Sequence, residues 1–331
     1  MDQYNRETKT AVRAAIEASV LCQRVRKGLV ADVSITKSDR SPVTVADYGS
    51  QAIICRIIRE VFPEDPIIAE EDSKALKKTE NSRILEQVTH YVSDVFAKVS
   101  SKEVCEWIDL SSHALQDRFW ALDPIDGTKG FLRGDQYAIA LALIENRRVQ
   151  LGILACPNLH VVRGHPQGEK GCLFFARRGS GSLQMDMSGE GKRTLSVSKI
   201  SDPAEAFFTE SFESSHSDHL FHQRIANKFN MSKPPLRMDS QAKYGIVARG
   251  EAVLYLRIPA PSEPGYRENI WDHAAGAIIT EEAGGKVTDA TGKPLDFISG
   301  IKMKNNYGVV VSNGILHDRV IEALGFKKEN A

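Results

Sequence analysis

Cysteine is scarce in this chain, and its few thiols are poorly spaced for covalent or metal cross-links. The 331 residues contain 5 cysteines, an odd number, and none of them forms a C-x-x-C pair. They are Cys22, Cys55, Cys105, Cys156 and Cys172. This spacing disfavours both a disulfide framework and a zinc knuckle. We therefore expect reduced, mostly buried thiols that pack as small apolar side chains.

Net charge and long hydrophobic runs are also lacking. Lys and Arg number 43, Asp and Glu number 43, and the formal net charge is zero. No broad electrostatic field would therefore attract a nucleic-acid polymer or an anionic membrane. The longest apolar run, AIALALI, is far too short to span a bilayer, and the N-terminal segment lacks the features of a signal or transit peptide. These absences predict a soluble cytoplasmic protein, a monomer or a weak homo-oligomer, without a nucleic-acid or membrane partner.

The hydrophobic pattern predicts two regions of mixed structure. Hydrophobic residues make up 42% of the chain, enough for two domains or one large one. The N-terminal segment and VTVADYGSQAIICRIIREVFP have helical spacing, whereas FWALD, YAIALALIEN, VQLGILACP, LFFARR and TLSVSK predict an antiparallel meander. Beyond residue 200, strands and helices alternate. We expect an α/β protein with an α+β N-terminal domain over residues 1–199 and an α/β C-terminal domain over residues 200–331.

Three further segments are interpreted from composition. The charged stretch from Ser73 to about Arg118 is typical of solvated, mostly helical structure. The segment RRGSGSLQMDMSGEGKR has the composition of an exposed hairpin or loop, and its glycines lack the spacing of a phosphate-binding P-loop. PAPSEPG, residues 259–265, is typical of an inserted surface loop.

Two aspartates stand three positions apart in WALDPIDGTKGF, at Asp123 and Asp126. The apolar residues before Asp123 predict a buried strand end, where Pro124 stops the ladder and Gly127 permits a tight turn. Both carboxylates would then emerge at the carboxyl end of the strand. Two like charges in a poorly solvated place call for a cation, and hard oxygen ligands suit Mg²⁺. A pair of Asx turns in a loop is the open alternative on this pattern alone.

Two other aspartate motifs fit this stretch poorly. An EF-hand loop needs acids at alternate positions and a glutamate at its end, but the twelfth position from Asp123 is Gly134. A phosphoaspartyl phosphatase would have a D-x-D-G-T motif after a strand, and the extra residue here would move the second carboxylate to the other face. The first motif is excluded and the second is disfavoured.

Two more aspartates lie where helices are predicted to begin. Asp272 opens the helix of WDHAAGAIITEEAGG, and Asp47 stands three residues after Thr44 in SPVTVAD, which is the spacing of a capping box. Capping alone would account for both.

The histidines His216, His219 and His222 are spaced by three residues. Positions at this spacing drift around a helix, and no acidic or cysteine partner is evident, so a zinc site is disfavoured.

Four motifs together decide among these interpretations. SPVTVAD, IIAEED, WALDPIDGTKGF and WDHAAGAIITEEAGG follow one another in the order and approximate spacing of the Mg²⁺-dependent, lithium-sensitive phosphatases related to inositol monophosphatase. Within that superfamily the chain most resembles the 3′(2′),5′-bisphosphate nucleotidases, because it also contains KSDRSPVT, GTKGFLRGDQYAIALAL, SSH, MDSQAKYG and LYLRIP. The resemblance runs over nearly the whole chain and implies the layered αβαβα sandwich of this superfamily.

The resemblance also implies a set of site residues. Two or three Mg²⁺ ions would bind per site, one at Glu70, Asp123 and the backbone carbonyl of Ile125, another at Asp123, Asp126 and Asp272, and a weaker third at Glu70. Asp47 and Thr128 would orient and deprotonate a metal-bound water that attacks phosphorus directly. The residues that would contact substrate are Thr128, His216, Ser240, Lys243, Arg257 and Asp272.

The predicted reaction is hydrolysis of adenosine 3′,5′-bisphosphate to AMP and phosphate. The related 3′-phosphoadenosine 5′-phosphosulfate, a nucleotide of sulfate assimilation, is a second expected substrate, and Li⁺ is an expected inhibitor. Two alternatives stay open, an inositol polyphosphate 1-phosphatase and a catalytically idle nucleotide-binding sensor. The intact water-activating pair, Asp47 and Thr128, argues against the sensor.

Overall fold

The computed structural model describes residues 3–28, 34–36, 42–112, 114–162, 167–212, 219–259 and 265–326. Its helices are α1 (Asn5–Lys27), α2 (Val45–Val61), α3 (Ser82–Ser93), α4 (Ser101–Ile108), α5 (Thr128–Arg133), α6 (His219–Lys228), α7 (Ala242–Ala248), α8 (Ala274–Glu282) and α9 (His317–Leu324). Its strands are β1 (Ser34–Thr36), β2 (Pro42–Thr44), β3 (Ile67–Ala69), β4 (Arg118–Asp126), β5 (Ala138–Glu145), β6 (Arg148–His160), β7 (Lys170–Arg177), β8 (Ser182–Met185), β9 (Arg193–Thr194), β10 (Phe208–Glu210), β11 (Leu236–Arg237), β12 (Leu254–Arg257), β13 (Lys286–Thr288) and β14 (Val309–Ser312).

The first large sheet has seven strands in the order β3-β4-β5-β6-β7-β8-β9. Strand β3 runs parallel to β4, and every later neighbour is antiparallel, so the predicted meander is confirmed. The Gly- and Ser-rich segment contains the turn of a β7–β8 hairpin, and Ser182–Met185 extend the sheet. The prediction of a strand at TLSVSK, residues 194–199, is wrong beyond its first residue, because the sheet ends at Thr194. The Val197 N–H instead donates to the Ala283 carbonyl after α8.

The second large sheet is mixed and has five strands in the order β11-β10-β12-β14-β13. Strand β10 runs parallel to β11 and β12, whereas β14 is antiparallel to both β12 and β13. Helices α6, α7, α8 and α9 alternate with these strands along the chain, as the sequence predicts. In KVTDATGKPLDF only Lys286–Thr288 form a strand, which pairs with β14.

The elements stack in five layers. Leu122, Leu141 and Leu151 of the first sheet share a buried core with α1 and α2. Its opposite face, with Ala140 and Ala142, packs against α7 and α8. The second sheet lies beyond these helices, and its far face shares a core with α6 and α9, formed by residues that include Leu256, Val310, Ile225 and Val320. This arrangement confirms the predicted αβαβα sandwich.

Small residues let the central helices approach the first sheet closely. A Cβ atom on Gly152 of β6 would lie 2.4 Å from the Ile278 side chain and 2.7 Å from the Ala275 carbonyl oxygen, both in α8. A Cβ atom on Gly276 would lie 2.3 Å from the Tyr244 ring of α7. Distances this short exclude any side chain at these positions. This packing fixes the distance between α8 and the first sheet, and with it the position of Asp272, which lies just before α8.

The segment between β3 and β4 contains α3 and α4, so the helical prediction holds for these parts and is wrong for the turns around them. Both helices pack against α2.

The first large sheet ends at Thr194 and the second begins at Phe208. The domain boundary at residue 199 lies between them and stays a prediction. Residues 260–264 of the predicted surface loop lie outside the described residues. Among the helices that the structure describes, none is long and apolar enough to cross a membrane.

Candidate active site

Strand β4 carries both aspartates of the central motif across a β-bulge. Asp123 pairs with Ala140 and Asp126 pairs with Ala138, so three steps along β4 oppose two steps along β5. Side chains alternate along a strand, and the extra residue of the bulge therefore returns the second carboxylate to the face of the first. The expectation that the D-x-x-D spacing moves it to the other face is wrong. The prediction that Pro124 stops the ladder is wrong. The bulge accommodates the missing N–H of proline, and pairing resumes at Asp126.

Asp123 lies at the centre of an acidic cluster. Its carboxylate is only 2% exposed and accepts a hydrogen bond of 3.1 Å from the Ile125 N–H, so the Asx turn is present as well. Burial raises the pKa of Asp123 well above its usual range, and repulsion by Glu70, Asp126 and Asp272 raises it further, as does a hydrogen bond with Glu70. These carboxyl groups thus lie close together, with an excess of negative charge.

Glu70 reaches this cluster because β3 runs parallel to β4. Ala69 pairs with Leu122, and the Glu70 N–H donates to the Leu122 carbonyl at 3.3 Å. The next residue, Glu71, is held by the buried side-chain amide of Gln51 in α2. The Gln51 Nε2 donates to the Glu71 carbonyl at 2.6 Å and to the Ile108 carbonyl at 3.0 Å, and its Oε1 accepts from the Glu71 N–H at 3.0 Å. Gln51 therefore ties the Glu70 segment to both α2 and α4.

Asp272 enters the cluster from a 3₁₀ turn, Ile270–Asp272, directly before α8. Its Oδ2 accepts a 2.8 Å hydrogen bond from the Asn269 N–H, which is half of a capping box with Asn269. Burial and then repulsion by Glu268 raise the pKa of Asp272 well above its usual range, although Arg257 opposes this shift. The prediction that Asp272 caps α8 is wrong, because α8 begins at Ala274 after His273, without a side-chain cap, and Asp272 instead closes the preceding 3₁₀ turn. The same carboxylate interacts electrostatically with Glu70 and Asp126.

Asp47 and Thr128 meet beside the cluster. The predicted capping box is present: the Thr44 N–H and Oγ1 donate to Asp47 Oδ2 at 2.8 and 2.5 Å, and Thr44 Oγ1 accepts from the Asp47 N–H at 3.4 Å. Asp47 Oδ1 accepts a hydrogen bond from Thr128 Oγ1 at 3.2 Å. Thr128 is the first residue of α5, two positions after Asp126. One oxygen of Asp47 is thus fixed by the helix start, and the other faces the hydroxyl near the acidic cluster.

Two cations face the cluster from the second sheet and its helix, one buried and the other half-buried. Lys243 of α7 is 2% exposed, and burial lowers its pKa to about 8 although Asp126 opposes the shift. Arg257 ends β12, and its Nε donates to Glu268 Oε1 at 2.7 Å. Burial disfavours its charge, but Glu268 holds the pKa of Arg257 well above the usual range. Lys243 and Arg257 also act on Asp126, whose pKa burial nevertheless raises.

Ser240 lies in a strained turn, three residues before Lys243 in the chain. Its φ is 69°, in the left-handed region, and its Oγ accepts from the Ala242 N–H at 3.2 Å. The next N–H, that of Gln241, donates to Asp126 Oδ2 at 2.6 Å. The turn therefore contacts the acidic cluster directly.

The three histidines separate. His216 lies outside the described residues, and so does the side chain of His219. His222 is buried, and its Nδ1 lies 3.0 Å from Glu210 Oε2, a carboxylate that also accepts from Arg237 Nε at 2.8 Å. His222 is thus part of a polar contact between α6 and the second sheet.

The cluster has the chemistry that a divalent cation requires. Within the described ranges, no three Asp, Glu, His or Cys side chains are already arranged to hold a metal ion. The donors are nevertheless hard oxygens, and the raised pKa values of Asp123, Asp126 and Asp272 show charge that the protein leaves uncompensated. Mg²⁺ is matched to such donors. A bound cation would balance the negative charge of these carboxyl groups.

The sandwich fold, the carboxylate cluster and the adjacent Asp47–Thr128 pair together define a metal-dependent phosphatase of the αβαβα class. The chain belongs to the inositol monophosphatase family, whose model matches residues 3–329. The resemblance drawn from the sequence motifs is thereby confirmed.

Similar proteins extend over nearly the whole chain. A Dictyostelium discoideum protein named 3′(2′),5′-bisphosphate nucleotidase is 43% identical over 322 residues, covering 95% of each chain. An Arabidopsis thaliana protein named 3′(2′),5′-bisphosphate nucleotidase 1 is 46% identical over 301 residues, covering 85% of this chain and 84% of the relative. Among solved structures, the Thermotoga maritima IMPase has a TM-score of 0.68 at 23% identity and covers 97% of both chains. That structural similarity supports the fold alone.

Proposed function

We propose that this chain hydrolyses the 3′-phosphate of adenosine 3′,5′-bisphosphate to give AMP and phosphate, and that it also acts on 3′-phosphoadenosine 5′-phosphosulfate, a nucleotide of sulfate assimilation. One observation carries the proposal: a buried carboxylate cluster has the cations Lys243 and Arg257 near Asp126, and Thr128 links it to Asp47 through contacts with Asp47 and the Ile125 carbonyl. The full-length relatives named as bisphosphate nucleotidases support the same substrate class.

The residues that would hold Mg²⁺ come from three parts of the chain. Glu70, Asp123 and the Ile125 carbonyl would bind one ion, and Asp123 would share a second with Asp126 and Asp272. A third, weaker ion would use Glu70. When bound, Mg²⁺ compensates the carboxylate charge, draws in phosphate oxygens and makes nearby water more acidic. The acidic cluster alone would repel a bisphosphate, so the cation is needed for substrate to enter.

Asp47 and Thr128 would move the proton. Thr128 Oγ1 donates to Asp47 Oδ1, so its own lone pairs are directed away from Asp47. A water hydrogen-bonded to Thr128 Oγ1 can transfer its proton to that oxygen while the hydroxyl proton passes to Asp47. The water oxygen then bonds to phosphorus, the bond from phosphorus to the 3′-oxygen breaks, and the departing 3′-oxygen takes up a proton from a water molecule to become the 3′-hydroxyl of AMP. Thr44 keeps the Asp47 carboxylate in the required orientation throughout.

Lys243, Arg257 and Ser240 would bind the retained 5′-phosphate. The Arg257 guanidinium is held at Nε by Glu268, and its Nη2 makes a long hydrogen bond of 3.5 Å to the Tyr266 hydroxyl. Its planar fork of N–H donors is suited to a phosphate. His216 is the residue that we assign to the base or sugar. An enzyme with these two cations near its carboxylate cluster would favour a substrate that carries two phosphates.

A phosphate-release panel tests the proposal. Adenosine 3′,5′-bisphosphate, its sulfated relative, inositol 1,4-bisphosphate and inositol monophosphate are compared in Mg²⁺, with and without Li⁺. We expect the nucleotides to be hydrolysed fastest and Li⁺ to inhibit, because a small hard cation can compete for oxygen ligands. Faster turnover of inositol bisphosphate would instead assign an inositol polyphosphate 1-phosphatase. Tight nucleotide binding without phosphate release would assign a sensor.

The proposal includes the cell compartment and the assembly state. All five cysteines are free and buried in the structure, which suits the reducing cytoplasm. We infer a monomer or a weak homo-oligomer in that compartment. Sedimentation equilibrium of the purified chain measures the assembly state, and a concentration-independent dimer would contradict this part.

A further inference from the structure

Gln241 links the two halves of the acidic cluster. Its backbone N–H donates to Asp126 Oδ2 at 2.6 Å, on β4 of the first sheet. Its side-chain Nε2 donates to the Trp271 carbonyl at 2.9 Å, and its Oε1 accepts from the Gly276 N–H at 3.2 Å. These last two partners flank Asp272. One residue that is 2% exposed is therefore bonded to both elements that carry the ligands of the second cation.

The surroundings of Gln241 leave little room for adjustment. Ser240 directly before it has a φ of 69°, a conformation that few residues other than glycine adopt. A Cβ atom on Gly127 would lie 3.2 Å from the Ser240 Cβ, so the end of β4 is pressed against this turn. On the other side, Gly276 packs against Tyr244. Gln241 thus joins the end of β4 to the start of α8, and close packing fixes the position of both elements.

The backbone groups at either end of this amide depend on it. Without the side chain, the Gly276 N–H at the start of α8 and the Trp271 carbonyl before it would lose their bonds to Gln241 inside the protein. A buried polar group without a partner is costly, so the turn that holds Asp272 would shift to find another one. The strained Ser240 turn would relax at the same time and carry the Asp126 hydrogen bond with it.

We propose that Gln241 is a positioning residue that sets the separation of the Asp126 and Asp272 carboxylates, and thereby the affinity for the second Mg²⁺. The inference rests on the function proposed above, in which these two carboxylates share a cation. Gln241 itself contacts no substrate in this assignment. It acts through the hydrogen bonds that hold two ligands on different elements at one spacing.

A merely structural role predicts a different result, and a second buried glutamine serves as the matched control. Gln184 of β8 is 3% exposed, and its Oε1 accepts from Arg249 Nη1 at 3.5 Å. It lies on the edge side of the first sheet, between β7 and β9, and contacts none of the proposed ligands. Gln184→Met and Gln241→Met both replace a buried amide by an apolar side chain of similar length.

The experiment measures Mg²⁺ binding by the full chain in two ways. Thermal unfolding is followed over a series of Mg²⁺ concentrations without substrate, and the half-saturating Mg²⁺ concentration is measured for phosphate release. We expect Gln241→Met to weaken the apparent Mg²⁺ affinity about tenfold in both assays, as is typical of residues that orient metal ligands. Gln184→Met should lower the melting temperature but keep the apparent affinity of the wild type.

The outcomes separate the inference from the proposed function. If Gln241→Met melts lower but binds Mg²⁺ like the wild type, the positioning role is overturned while the function stands. If Mg²⁺ neither stabilises the wild type nor supports phosphate release, the function itself fails. Gln241→Asn, which keeps the amide but is one methylene shorter, replaces the methionine variant if that variant does not fold, and the same affinity loss is expected.

Discussion

Replacing Asp47 by asparagine separates its role in the helix cap from its proposed role as a base. Asparagine has nearly the same shape, and its Oδ1 can accept from the Thr44 N–H and Oγ1 as the carboxylate does at 2.8 and 2.5 Å. Its Nδ2 would then face Thr128 Oγ1, where the carboxylate oxygen now accepts at 3.2 Å. The fold keeps its cap, but the atom next to Thr128 can no longer take a proton.

The two effects differ strongly in size. Loss of a general base lowers kcat by about 10²- to 10⁴-fold, which corresponds to about 3 to 5 kcal/mol in activation free energy. Weakening the cap from a charged to a neutral acceptor lowers the free energy of unfolding by about 1 kcal/mol. The change should therefore abolish most phosphate release from adenosine 3′,5′-bisphosphate while urea unfolding shows a protein that is still folded.

A second capping box in the chain provides the control. The Ser100 N–H and Oγ donate to Glu103 Oε2 at 2.9 and 2.6 Å at the start of α4, in the geometry that Thr44 and Asp47 have at α2. Glu103→Gln should leave kcat at the wild-type value. Our reasoning would be refuted if Asp47→Asn kept kcat within a few fold of the wild type, or if its lost activity matched a lost folded fraction.

Three further outcomes are expected. Because burial lowers the pKa of Lys243 to about 8, its positive charge is lost as the pH rises through that value, and KM for the bisphosphate should increase there. Lys243→Met should lack this increase, and a flat wild-type KM would argue against a phosphate contact. Gln51→Met removes three buried hydrogen bonds to the backbone and should lower the free energy of unfolding in urea by about 2 to 4 kcal/mol, so a loss below about 1 kcal/mol would contradict its clamping role. Arg257→Lys keeps the charge but loses the planar fork, and should raise KM about tenfold with kcat retained, whereas Arg249→Lys, at a buried arginine away from the site, should not.

Local signals in the sequence were sufficient for much of the fold. The nearly continuous apolar runs of β5 and β6 predict the meander, because both strands are buried on both faces and short polar breaks separate them. The capping box of Thr44 and Asp47 depends only on neighbours three positions apart, so spacing alone reveals it. The box of Asn269 and Asp272 was missed, because Asp272 was expected to cap α8 itself. The five-layer stacking came from the resemblance, since no local pattern specifies which helices cover which face.

The bulge in β4 and the strand at Ser182–Met185 depended on distant partners. Pro124 interrupts one hydrogen bond, but whether the ladder resumes is decided by β5, whose register places Ala138 opposite Asp126. The Gly- and Ser-rich composition around β8 describes the turn, whereas pairing with β7 decides where the strand begins. Sequence reasoning uses the propensities along one strand, and it therefore misses the register and the strand ends that pairing with a neighbouring strand determines.

The supporting glutamines were missed for a different reason. Gln51 lies three and seven residues before Ile54 and Ile58, so it stands on the apolar face of α2, and a polar residue on that face was a usable signal. Gln241 stands among small and polar residues in MDSQAKYG and gave no such signal. Its partners are backbone groups about thirty residues further along the chain, which only the fold brings near.

The charge distribution of the site follows from these supports. The chain has no net charge, yet Asp123, Asp126 and Asp272 have raised pKa values beside Lys243 and Arg257, which do not neutralise them. If those cations lay closer to the carboxylates, the cluster would be satisfied by ion pairs and would have little affinity for Mg²⁺. Glu268 prevents this by holding Arg257 at Nε, and the Met238 carbonyl holds Lys243 Nζ at 3.1 Å. Keeping the two charge groups apart leaves the carboxylates available to a metal and the cations available to a phosphate.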